Sequence, residues 1–179
     1  MADHVFKNPS TGDTLRFLKT GADTGGELLE VEVIYTPAHQ RPPAHYHPHQ
    51  EERFEILSGA MTVEMSGTVH IYEAGESFQV PPGTRHAMWN AGETVTRMNW
   101  QTRPAMKTPQ FFETLWGLAE AGKTGASGSP NLLQAAVLMR AYADEFRLVS
   151  PPPLIQSVLF GLLAPIGRLL GYKAHYTIP

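Results

Sequence analysis

Residues 75 to 90 read Gly-Glu-Ser-Phe-Gln-Val-Pro-Pro-Gly-Thr-Arg-His-Ala-Met-Trp-Asn, and no other stretch narrows the fold of this chain so far. Gly75 and Gly83 permit tight turns, and Pro81-Pro82 holds the backbone extended before the second of them. A helix cannot run through that punctuation. The segment between the turns, Ser77 to Val80, is therefore expected to be a short strand. The second turn delivers His86 onto a new strand, and Asn90 has the donors and acceptor to tie that strand to a neighbouring loop.

Some thirty residues upstream lies His45-Tyr46-His47, bounded by Pro42-Pro43 and Pro48 and followed by Glu51-Glu52 and Gly59. In a strand, residues two apart point the same way, so His45 and His47 share a face and Tyr46 takes the other. His47 and Glu52 are five apart, which requires a break at Pro48-His49-Gln50 if they are to meet. Glu52 leads a strand in which Phe54 and Ile56 share its face. A carboxylate at the head of an apolar inward row is costly unless it is paired or coordinated. His86 completes a set of three imidazoles and one carboxylate. These donors suit one divalent transition metal, iron, manganese, nickel, zinc or copper, and fit calcium poorly. His49 falls in the break and is expected to face solvent. His4, His39, His70 and His175 have no partner spacing.

Two textures divide the chain. From about residue 12 to 103 the segments are short and alternating, with turn residues between them. Leu29-Val31-Val33-Tyr35, Phe54-Ile56 and Met61-Val63-Met65 alternate with polar neighbours, and Ser58-Gly59 and Ser66-Gly67 separate them. Further strands are expected over 68–73, 77–80, 85–90 and 93–102. Many short strands at regular spacing point to a sandwich or small barrel. After Arg103-Pro104 the period becomes helical. Thr108 reads as an N-cap with Pro109 at the first helical position, and Gly122 as the stop. Ser129-Pro130 repeats the start signal, with a stripe through Leu132, Ala136, Met139, Ala143 and Phe146. Pro151-Pro152-Pro153 opens a third helix ending near Gly171. It is apolar on nearly every side, so it must be buried against the barrel, a second copy, or a pocket that it covers. The division expected is 1–103 as the barrel, core 25–103, and 104–179 as a helical extension on the barrel or at a homodimer interface.

At 179 residues, 42% hydrophobic and 17% charged, the chain can bury a core. Its net charge of −3 argues against nonspecific nucleic-acid binding, which needs a basic face. With no cysteine, disulfides, thiolate ligands and a Cys nucleophile are all excluded. No basic start followed by an apolar run marks a signal peptide, and the longest apolar run is too short to span a bilayer. The expectation is a cytoplasmic protein with no membrane partner. There is no Ser-His-Asp order, phosphate-cradling loop or dinucleotide fingerprint.

The two segments together resemble the paired motifs of the cupin superfamily. His45, His47, Glu52 and Gly59 match the first motif at its core positions, and Gly75, Pro81, Gly83, His86 and Asn90 match the second in full. The spacing to Gly59 selects Glu52 over Glu51. One departure is His39, which stands where a glycine is expected and leaves the local turn undefined. The resemblance covers roughly residues 25 to 103. It implies a double-stranded β-helix, a jelly-roll barrel, with His45, His47, Glu52 and His86 as metal ligands, followed here by about three α-helices. It further implies metal-dependent, dioxygenase-like oxidoreductase chemistry on a small organic molecule; Glu52, as the sole carboxylate of the set, is the candidate catalytic base. The alternatives are a non-catalytic small-molecule-binding cupin and a cupin isomerase or cyclase of a biosynthetic pathway. Phe54, Met61, Met65, Met88, Trp89, Met98 and Trp100 are candidates for core or pocket wall, and Tyr46, Arg97 and Gln101 for polar groups reaching the pocket.

Overall fold

Strict alternation of buried and exposed residues over 51–57 sets the frame: Glu52, Phe54 and Ile56 point inward, while Glu51, Arg53 and Glu55 face out. The computed structural model describes residues 4–125 and 128–176. Ten strands come first: β1 (Val5–Lys7), β2 (Thr14–Lys19), β3 (Leu29–Tyr35), β4 (His45–Tyr46), β5 (Glu51–Ser58), β6 (Ala60–Met65), β7 (Thr68–Glu73), β8 (Ser77–Val80), β9 (His86–Trp89) and β10 (Thr96–Arg103). The extension then adds α1 (Thr108–Glu120), α2 (Leu132–Ala141), a two-residue strand β11 (Arg147–Leu148) and α3 (Pro153–Leu169).

All pairings are antiparallel and make two sheets, in the orders β1-β2-β3-β10-β5-β8 and β11-β4-β9-β6-β7. Their inner faces share one core, in which Leu15, Phe17, Val31, Val33, Phe54 and Ile56 of the first sheet meet Met61, Val63 and Met88 of the second. This is a jelly-roll sandwich followed by helices. Gly59, between β5 and β6, has φ 77°, and a Cβ there would lie 2.5 Å from the Val95 carbonyl oxygen. Only glycine fits that turn.

Several details differ from the sequence reading. Thr108 is the first residue of α1 and not its cap, because its hydroxyl is taken by Gln50 Nε2 at 2.7 Å. The second helix is capped two residues later than Ser129-Pro130 suggests, by Asn131, whose side chain accepts from the Gln134 amide at 3.0 Å. That helix stops at Ala141, so Phe146 lies outside it and leads into β11. The third helix packs one face on α2, a partner that the sequence reading did not name, through Phe160, Ala164 and Gly167. Its other face is exposed. Arg97 pairs with Glu32 and Gln101 with Glu30, both away from the barrel interior.

Candidate metal centre

His45 and His86 sit directly opposite one another in the β4–β9 register, with ring centroids 4.3 Å apart. The strand ends after Tyr46 and the chain bends at Pro48-His49. His47 is therefore carried just past the strand, where its carbonyl accepts from the Gly83 amide at 2.8 Å. Glu52 comes from the other sheet. The four side chains meet across the sandwich. His47, Glu52 and His86 are 4%, 0% and 1% exposed. His45 is partly exposed and forms part of a cavity wall. Glu51 and His49 face solvent.

Hydrogen bonding fixes which nitrogen each ring presents. His47 Nδ1 lies 2.6 Å from the Glu145 carbonyl and His86 Nδ1 lies 3.0 Å from the Thr84 carbonyl. A carbonyl only accepts, so both Nδ1 atoms carry the proton and both Nε2 atoms turn inward. Glu52 is oriented in the same way: Trp100 Nε1 donates to its Oε1 at 3.0 Å, leaving Oε2 free. That Oε2 lies 3.2 Å from His47 Nε2 and 3.3 Å from His86 Nε2. None of the three atoms has a hydrogen-bond partner of proper geometry, and all are buried.

Buried polar atoms left without partners cost about 1–3 kcal/mol each. Ligand atoms about 2.1 Å from a shared ion stand roughly 3.0–3.4 Å from one another. The observed separations at Glu52 meet that requirement. Candidate nitrogens of His45, His47 and His86 lie within 4.8 Å of one another, with His45 the outermost. Three inward imidazole nitrogens and one carboxylate oxygen fit a divalent transition metal, and the donor set lacks the many oxygens that calcium takes.

Electrostatics agree with that fit. Burial holds the His45 imidazole well below its ordinary value, and the neighbouring His86 and His47 rings add to the effect. His45 is thus neutral at physiological pH, as a ligand must be. Burial would raise the Glu52 carboxyl, but the His47 and His86 rings and the Trp100 indole outweigh it and leave it below the ordinary carboxylate value. Burial would likewise lower His86, and the Glu52 carboxylate offsets this and holds the imidazole above its ordinary value. A proton and a cation therefore compete for the same pair.

The extension builds part of this centre, which the sequence reading did not foresee. β11 pairs with β4, setting Leu148 opposite His45, and the Val149 amide donates to the Ala44 carbonyl at 2.9 Å. Phe146 stacks on the His45 ring at 4.7 Å and 25°, and meets His47 edge-on at 5.9 Å. The only advance signal was that Phe146 is an aromatic at the far end of a helical stripe.

Beside the centre opens a cavity of about 730 Å³, whose walls include Tyr35, His45, Met88, Trp89 and Trp100, with Arg41 near the prolines Pro42 and Pro43. Phe54, Met61 and Met98 belong to the core instead. His39 is half-buried and bonded, through Nε2, to Asp13 Oδ1 at 3.0 Å and Thr36 Oγ1 at 3.1 Å. The left-handed conformation a glycine would supply near there falls on Ala38, at φ 62°.

Residues 31–101 match the family model described as "Cupin domain", and the chain carries a cupin domain over that segment. It is 29% identical over 155 residues to an oxidoreductase of the fungus Arthrobotrys oligospora, covering 76% of this chain and 58% of that protein. It is 25% identical over 100 residues to the tetracenomycin polyketide synthase protein TcmJ of Streptomyces glaucescens, covering 56% of this chain and 67% of the relative. The chain thus spans little more than half the length of its fungal relative. Among solved structures, KdgF from Halomonas sp. superposes with a TM-score of 0.50 at 17% identity, over 60% of this chain and 94% of the other. That likeness concerns the fold alone. Among the described residues, no helix is long and apolar enough to cross a membrane.

Proposed function

We propose that this chain is a metal-dependent oxidoreductase acting on a small, planar, oxygen-bearing organic molecule of polyketide type. His45, His47, Glu52 and His86 hold one divalent transition metal. The observation that carries the reading is the meeting of buried, unpartnered His47 Nε2, His86 Nε2 and Glu52 Oε2 beside a cavity that His45 and Trp100 wall. The similarity to the Arthrobotrys oxidoreductase supports the reaction class, and that to the Streptomyces polyketide synthase protein supports the substrate type.

When bound, such an ion supplies Lewis acidity and, if redox-active, one-electron chemistry at the cavity floor. The chain's own groups do the rest. Trp89, Trp100 and Tyr35 offer flat faces on which a conjugated substrate can lie. Burial holds the Tyr35 phenol well above its ordinary value, so its hydroxyl remains a donor that can orient a substrate oxygen. Glu52 sits behind the wall, with its carboxyl held below the ordinary range. This makes it a good ligand and a weak base at neutral pH. Its role as proton acceptor is the part of the reading that Glu52→Gln addresses: unchanged turnover at full metal content sinks it.

The test is oxygen uptake by protein loaded in turn with iron, manganese, nickel, copper and zinc, against hydroxylated polycyclic aromatics and small aliphatic keto acids. Uptake with a redox-active ion and an aromatic substrate, absent from zinc-loaded and metal-stripped protein, is expected. Tight retention of an aromatic molecule without uptake under any metal would overturn the enzyme reading in favour of a binding module.

A further inference from the structure

An ordinary surface helix buries an apolar stripe and shows water a polar face. α3 inverts half of that rule. Its buried side, turned to α2, carries Gln156 along with Phe160, Ala164 and Gly167. Gln156 is used up there, donating to the Leu148 and Pro151 carbonyls at 2.8 and 2.6 Å. The opposite side carries Leu154, Ile155, Val158, Leu162, Ile166 and Leu169, all exposed, with Leu154 at 77%, Leu162 at 67% and Leu169 at 88%. At about 100° per residue these six fall within an arc of roughly 120°, and Ser157 and Arg168 lie outside it. The arc contains no charged or hydrogen-bonding side chain.

We propose that this arc is the contact surface of a homodimer, in which α3 of one copy packs antiparallel against α3 of the other. The six side chains expose on the order of 700 Å², larger than the apolar patch of a typical monomer and close to the roughly 800 Å² per partner of a standard interface. An isologous pair needs a self-complementary surface, and an uncharged leucine-rich arc is complementary to itself. The antiparallel arrangement sets opposite helix dipole ends side by side and keeps the two Arg168 groups apart. A lipid surface is the weaker occupant. Helices that lie in a membrane interface carry several Lys or Arg on the polar face, and Arg168 is the single charged residue of Pro153–Leu169. The rival contact within the protein is the free edge of β7, where Val69 and Ile71 are exposed.

Solution mass at micromolar concentration is the first measurement. The chain should run at twice its 19.7 kDa, and Leu162→Glu should halve that mass with an unchanged circular dichroism spectrum. Ile71→Lys should leave the dimer intact. A wild-type monomer at 100 µM, a Leu162→Glu dimer, or an Ile71→Lys monomer overturns the proposal. The chain has no cysteine, so single introduced thiols report the orientation. Leu162→Cys lies near the two-fold axis and should cross-link on oxidation. Leu154→Cys, about 12 Å along the helix and so roughly 24 Å from its copy, should not. Cross-linking of Leu154→Cys alone contradicts the antiparallel pair, and recruitment of the wild type to phosphatidylglycerol vesicles contradicts the dimer as occupant.

Discussion

The barrel and the extension both shape the candidate metal centre, but by different means. The barrel contributes side chains whose identities cannot be exchanged: three imidazoles, one carboxylate, and glycines such as Gly59 at a turn that tolerates no Cβ. The extension contributes a backbone carbonyl at Glu145, a two-residue strand and the flat face of Phe146. Chemistry in the first region is carried by residue type and in the second by placement. A site can therefore be announced by its ligands while what holds those ligands steady goes unannounced.

Variants that treat the two regions alike would break this contrast. The largest effect should come from the barrel: His86→Ala should weaken metal binding by more than about 100-fold, beyond the 10–100-fold typical of groups that only orient ligands. Chelator competition reads this directly. Next comes Gly59→Ala, which forces a methyl against the Val95 carbonyl and should destabilise the fold by at least about 2 kcal/mol in urea titration. On the extension side, Phe146→Ala should lower metal affinity about 10-fold, and Phe146→Trp should restore most of it. If Phe146→Ala matches His86→Ala, the division between ligand and support is wrong. The smallest effect is expected at Asn131→Ala, about 1 kcal/mol of stability from the lost cap, with metal affinity untouched. A change in metal affinity there would mean that the whole extension is more tightly coupled to the centre than its contacts show.

The same contrast explains what could be read in advance. Strand periodicity and turn glycines located β3 and β5 to β10 closely, because alternation is a local property that the sandwich only ratifies. The meeting of His45, His47, Glu52 and His86 was legible in part: the shared face of the first two from their spacing, the approach of Glu52 from the break at Pro48-His49-Gln50, and the full set only through the resemblance to the paired motifs. The capping of α1 was misread because Thr108 has a competing tertiary partner in Gln50. The end of α2 was misread because Ala143 and Phe146 keep helical spacing while the chain leaves the helix to pair with β4. The carbonyl of Glu145 left no trace, since every residue has one. The composition of the third helix called for a partner without naming it, and α2 covers one side while the other stays exposed.

Whether His45, His47, Glu52 and His86 together hold one ion is tested most directly by titrating manganese(II) or zinc(II) into metal-stripped protein by calorimetry at several pH values. His86 carries its proton more tightly than a free histidine because Glu52 faces it. That attraction stabilises the ion-free protein at pH values below the ordinary imidazole value of 6.5, and it is lost as pH rises through the raised value. The ion must displace this proton, so affinity should climb across that window. The account predicts one ion per chain, proton release on binding that fades above it, and no binding by the His45→Ala, His47→Ala, His86→Ala triple variant. Undiminished binding by the triple variant, or an affinity flat from pH 5 to 8, would contradict it.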